Sequence, residues 1–248
     1  MTTWVLLRGL ARETRHWGRF TGLLRRGVRG DRVLAVDLAG NGQRRGATTP
    51  GSVQAIAEDV RQLVAGLAPP PYVLVAVSLG GMVAVEWAAE HPQEIAGCVL
   101  VNSSFGRFSP PWQRLRPRAL LHLATLLPCG PDAREMGILR LTSNTTADPD
   151  VSAAWARFAR DAPVTRANMM RQLLAAARYR APAEAPRPPI LVLASARDRL
   201  ADVRCSRALA RAWRCEMREH PTAGHDLPLD DPRWMIAQML AWHSPRAH

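Results

Sequence analysis

Residues Tyr72-Val73-Leu74-Val75-Ala76-Val77-Ser78-Leu79-Gly80-Gly81 carry an unbroken apolar run straight into a helical pattern, with a serine at the junction. A strand that turns directly into a helix tolerates only small residues two places either side of the turn, because other backbone passes close by; here they are Ala76 and Gly80. A serine hydroxyl is a weak nucleophile unless a base lies within hydrogen-bond reach and an orienting group stands behind that base. On elbows of this kind the acid and then the histidine follow the serine along the chain. Asp198, just beyond the apolar run Ile190 to Ala194, and His225, in Thr222-Ala223-Gly224-His225-Asp226, meet that order, with Asp202 and His220 as competitors. Acyl transfer also needs donors for an oxyanion. The backbone N–H of Leu79, at the positive end of its helix, is one candidate, and that of Leu10, in the loop Arg8-Gly9-Leu10, is the other.

Short β-rich runs alternate with helical patterns over most of the chain: Trp4 to Arg8, Arg32 to Leu38, Tyr72 to Val77, Gly97 to Asn102, Ile190 to Ala194 and Cys215 to Glu219. Alternation of this kind predicts an α/β fold, a mostly parallel sheet flanked by helices. Runs without internal polarity, such as Val33 to Val36 and Ile190 to Leu193, fit strands covered on both faces. Ser52 to Leu67, Leu79 to Glu90 and Trp234 to Trp242 read as helices, the first with a serine cap. Residues 108–180 break the pattern with helical segments punctuated by Pro110-Pro111, Gly130-Pro131 and Pro163, which predicts a helical cap inserted into a core formed by residues 1–107 and 181–248.

The chain has 33 basic and 21 acidic residues, a formal charge of +12, and all the basic ones are arginines. They are spread along the sequence without a zinc-finger or RNA-binding signature, which argues against a nucleic-acid partner. Four scattered cysteines form no C-x-x-C pair, so neither a metal site nor a disulfide framework is expected, and no apolar run reaches the length of a membrane span. No leader pattern precedes the first strand, and the expected location is cytoplasmic. Asp226, Asp230 and Asp231 read as loop and helix-start residues.

The segments Leu6-Leu7-Arg8-Gly9, Val36-Asp37-Leu38-Ala39-Gly40-Asn41-Gly42, Ser78-Leu79-Gly80-Gly81-Met82 and Gly224-His225-Asp226-Leu227-Pro228 together resemble the α/β-hydrolase superfamily. Within it the chain is similar to cap-bearing carboxylesterases and to carrier-protein methyl ester esterases. The resemblance implies a serine esterase with Ser78, Asp198 and His225 as triad, working without metal or organic cofactor on a small ester of short to medium acyl chain. Arg8 stands where the family usually has a histidine, which implies a permanent positive charge beside the oxyanion loop, and one or two amino-terminal strands of the family are expected to be missing. Arg8, Trp17, Met136, Leu139 and Met170 are candidate substrate contacts, although core packing is the safer reading for Trp17 and helical spacing such as that of the cap residues more often marks core. The arginines of the cap read as a solvated face or, by the resemblance, as a dock for an acidic acyl carrier protein. A thioesterase, a cofactor-free haloperoxidase or lyase, and a slow-turnover ligand receptor are the alternatives, since one fold hosts many reactions.

Overall fold

Alternate residues of each strand enter opposite sides of one sheet, and both sides are covered. The computed structural model of the chain describes residues 1–145 and 149–243. The strands are β1 (Thr3–Leu7), β2 (Arg32–Val36), β3 (Tyr72–Val77), β4 (Ile95–Val101), β5 (Ile190–Ser195) and β6 (Glu216–His220). Around them run α1 (Arg19–Gly27), α2 (Val53–Ala65), α3 (Leu79–Glu90), α4 (Pro111–Arg114), α5 (Pro117–Thr125), α6 (Pro131–Thr142), α7 (Pro149–Asp161), α8 (Arg166–Arg178), α9 (Val203–Trp213), α10 (Leu227–Asp230) and α11 (Pro232–His243).

The six strands pair in the order β2-β1-β3-β4-β5-β6, every pair parallel. Val5, Leu7, Leu74, Ala76, Leu100 and Val192 face a cluster built with Ile56 and Val60 of α2, Val83 and Trp87 of α3 and Leu209 and Trp213 of α9. Trp4, Leu6, Val73, Val75, Val99 and Leu193 face a second cluster with Phe20 and Leu24 of α1 and Met235 and Met239 of α11. A strand apolar at every position is what two covered faces require. The Ser52 hydroxyl accepts the Ala55 N–H at 3.2 Å and starts α2 as a cap.

Element boundaries differ from the sequence reading by at most two residues. Strand β2 stops at Val36, before Leu38, because Leu38-Ala39-Gly40 turns away, with Gly40 at φ 92°. Strand β4 begins two residues early, at Ile95, where its register against β3 shifts between Tyr72 and Val73. Strand β6 runs one residue later, to His220, and α11 extends from Pro232 to His243.

Between β4 and β5 lie the five helices α4 to α8 and, among the described residues, no strand. Among those residues, too, no helix is long and apolar enough to cross a membrane. All four cysteines are free, and burial pushes the Cys98 thiol up to about 12. Strand β2 lies on one side of β1 and β3 on the other, so the chain reverses its winding direction between β1 and β3. In open parallel sheets the crevice at the carboxyl ends of such a pair is where ligands bind.

Candidate active site

The serine of the elbow sits at that reversal. Ser78 has φ 55° and ψ −116°, a conformation that costs a residue with a side chain about 1–3 kcal/mol and persists only where the surroundings impose it. They do: the Ser78 N–H donates to the Val101 carbonyl at 3.0 Å, and the Ser78 carbonyl accepts from the Gly81 N–H at 2.9 Å and the Ser103 hydroxyl at 3.1 Å. A Cβ at Gly80 would fall 2.6 Å from the Leu7 carbonyl oxygen and 2.8 Å from that of Arg8, so only glycine lets the elbow sit on the end of β1. The same proximity brings in the loop after β1, since a Cβ at Gly9 would lie 3.2 Å from the Ser78 Cβ. Leu79, which follows the serine, is buried as the first residue of α3, and Leu10 is half-buried next to Gly9.

Asp198 and His225 meet at the far side of the same edge. Both are buried, and Asp198 Oδ2 lies 2.7 Å from His225 Nδ1. The other carboxylate oxygen accepts the N–H groups of Leu200 and Ala201 at 2.7 and 3.0 Å, which locks the carboxylate plane in the turn after β5. An ionised carboxylate facing Nδ1 makes that nitrogen the donor and leaves Nε2 as the basic one. Burial alone pushes the imidazole down; the charge of Asp198 and its hydrogen bond outweigh this, with Asp226 adding to them and Arg8 opposing, and His225 titrates above its ordinary value.

The competitors are occupied elsewhere. Asp202 caps α9, accepting the Arg204 N–H at 3.0 Å, and pairs with the Arg204 and Arg116 side chains. His220 accepts the Thr222 and Ala223 N–H groups on Nδ1 and stacks edge-on against Trp234.

The permanent positive charge expected at Arg8 is paired with a neighbouring carboxylate. Arg8 is 3% exposed, and its two terminal nitrogens donate to Asp226 at 3.0 and 2.6 Å. The guanidinium carbon lies 5.1 Å from the centre of the Trp17 ring. Asp226, read from sequence as a loop residue, is therefore the counter-ion of Arg8. Trp17 packs against Phe20 in the core beneath the pair. Of the candidate contacts on α6 and α8, Leu139 is buried, Met136 is half-buried, and Met170 is 50% exposed and outside both clusters.

Sequence reasoning gave Asn102 no role. Its backbone follows β4 at φ 46°, and its side-chain oxygen accepts the Ser195 N–H at 2.8 Å. Its amide nitrogen donates to the Ser195 hydroxyl and to the carbonyls of Gly224 and His225, at 3.0, 3.3 and 2.9 Å. One buried amide thus ties the ends of β4 and β5 to the histidine loop. An asparagine closing an apolar strand was the signal available. Among the described residues, no group of three histidines, cysteines or carboxylates is arranged to hold a metal.

Residues 4–238 match the model of the alpha/beta hydrolase family. A protein of Variovorax paradoxus named for carbamate hydrolysis is 35% identical over 105 residues, 42% of this chain and 38% of that protein. The pimeloyl-acyl-carrier-protein methyl ester esterase of Nitrosospira multiformis is 32% identical over 102 residues, 40% of this chain and 38% of its own length. The matched stretch thus spans well under half of either relative. The solved esterase of Exiguobacterium antarcticum superposes with a TM-score of 0.76 at 14% identity, covering 98% of this chain and 92% of that one, a likeness of fold alone.

Proposed function

The chain belongs to the alpha/beta hydrolase family, and from that premise we propose that it is a serine hydrolase of carboxylic esters with Ser78 as nucleophile. The observation that carries this reading is the buried Asp198–His225 pair at 2.7 Å, on the same sheet edge as a serine held at positive φ. His225 takes the Ser78 proton on Nε2 as the oxygen attacks the ester carbonyl, and Asp198 stabilises the imidazolium. The N–H groups of Leu10 and Leu79 hold the oxyanion. As the tetrahedral species collapses, His225 returns the proton to the departing alcohol and an acyl-enzyme remains. Water, deprotonated by the same histidine, releases the acid. Helices α4 to α8 serve as the cap over the acyl group.

Purified protein incubated with p-nitrophenyl esters from acetate to dodecanoate is expected to release nitrophenol, fastest for a short or medium chain. Failure on every ester, together with no labelling of Ser78 by a fluorophosphonate, would reject the proposal.

The pH dependence has a definite sign. Neutral His225 is the working base, and its pKa is raised above 6.5, so kcat/KM rises with pH through a midpoint above 6.5. A midpoint below that value would mean that Asp198 does not stabilise the imidazolium in the free enzyme.

A carrier-bound methyl ester is a second reading, supported by the Nitrosospira relative and by the arginines Arg140, Arg157, Arg166, Arg171 and Arg178, all exposed on α6 to α8. It requires activity on an acidic acyl carrier substrate that exceeds activity on the free methyl ester and falls as salt rises.

A further inference from the structure

Helix α8 of the cap reaches under the oxyanion loop with a side chain that has no exposure at all. Gln172 is 0% exposed, and its Oε1 accepts the Ala11 N–H at 2.9 Å. Its amide nitrogen donates to Asn41 Oδ1 at 2.8 Å and more weakly to the Thr49 hydroxyl at 3.4 Å. Asn41, also 0% exposed, turns its own amide nitrogen onto the Arg12 carbonyl at 2.8 Å. The Ala11–Arg12 segment is thus gripped at both ends by one buried amide pair, Gln172 from α8 and Asn41 from the loop after β2.

The segment needs gripping. Residues Gly9 to Arg12 form a turn closed by the Arg12 N–H to the Gly9 carbonyl at 3.2 Å, and its third residue, Ala11, sits at φ 53°. A turn residue with positive φ is ordinarily glycine or asparagine, and an alanine there is strained unless something outside the turn holds it. The bond from Ala11 to Gln172 is that hold. Leu10, whose N–H the proposed mechanism uses, is the residue between Gly9 and Ala11, so the direction of its N–H follows from the shape of this turn.

We propose that Gln172 is a positioning residue of the oxyanion site: the cap, through α8, sets the turn that aims the Leu10 N–H at the reacting carbonyl oxygen. This inference rests on the ester-hydrolase reading. It gives the cap a part in the chemistry besides covering the substrate, and it makes Gln172 act through Ala11 and Leu10 without touching substrate.

The test compares Gln172→Met, which keeps the volume, with Asn168→Ala one turn earlier on the same helix. Asn168 is also buried, but its side chain hydrogen-bonds the Thr49 N–H and the Ala47 carbonyl instead of residues 9–12. Removing one oxyanion donor costs about 100-fold to 1,000-fold in kcat, and a misaimed donor should cost at least about tenfold on that scale. Gln172→Met is expected to lose kcat and affinity for an alkyl trifluoromethyl ketone by the same factor, with KM held within about twofold, since only the oxyanion interaction is weakened. Asn168→Ala is expected to lower the melting temperature without that paired loss. Gln172→Glu, kept protonated by burial and so still able to accept from Ala11 and donate to Asn41, is expected to recover most of it. Should Gln172→Met not fold, Asn41→Ala opens the same grip from its other end and is read in the same way.

Wild-type kcat and ketone affinity in Gln172→Met would overturn the inference and leave the hydrolase reading standing, as would an equal paired loss in Asn168→Ala. A wild-type protein that neither hydrolyses esters nor labels with a fluorophosphonate would remove both.

Discussion

Ser78→Ala is expected to lower kcat/KM on a p-nitrophenyl ester by about 10,000-fold or more, leaving only what the oxyanion donors and binding supply. Fold and stability should survive, because the elbow is held through backbone and Ser103 contacts that alanine keeps. The same position offers a second reading of the strain. Ser78→Gly removes the Cβ that makes φ 55° costly, and should be equally inactive yet more stable than wild type by about 1 kcal/mol in chemical denaturation. An active Ser78→Ala protein would remove Ser78 from the chemistry, and a destabilised Ser78→Gly protein would show that the elbow stores no strain.

The second large effect concerns stability. Arg8 and Asp226 have side chains only 4% and 6% exposed and form a two-pronged ion pair. Charges that far from water are tolerated only together, because removing one leaves the other buried and uncompensated. Arg8→Met or Asp226→Leu alone should therefore cost about 3–5 kcal/mol in chemical denaturation, whereas the double variant should regain most of that loss. The expected non-additivity is the informative quantity: if the two single losses simply add, the pair does not neutralise a shared burial cost. Arg8→His breaks the two-pronged geometry and should fall between wild type and Arg8→Met.

Much of the candidate site was legible before any tertiary contact was known. The elbow is a local object: an apolar run, a turn lined by small residues and a helix start all lie within Tyr72 to Gly81, and strand β3 and helix α3 occupy those residues. The order of Asp198 and His225 after strands β5 and β6 was equally visible. The choice between Asp198 and Asp202 was not a matter of pattern, since the two are four residues apart in one turn; it is the direction of the turn, set by the Leu200 and Ala201 N–H groups, that aims Asp198 at the histidine. Arg8 and Asp226 stand 218 residues apart, Gln172 and Ala11 161 apart, and Asn102 and His225 123 apart.

By itself, the sequence determined what depends on neighbours within a few residues: the period of the strands, the caps, the elbow and hence the α/β class. Only the tertiary structure decided which buried charges neutralise one another and which amides hold the site's loops. Those partners are chosen by which loops converge where the sheet reverses its winding, and a polar group buried there must be satisfied by whatever distant segment the fold brings within about 3 Å.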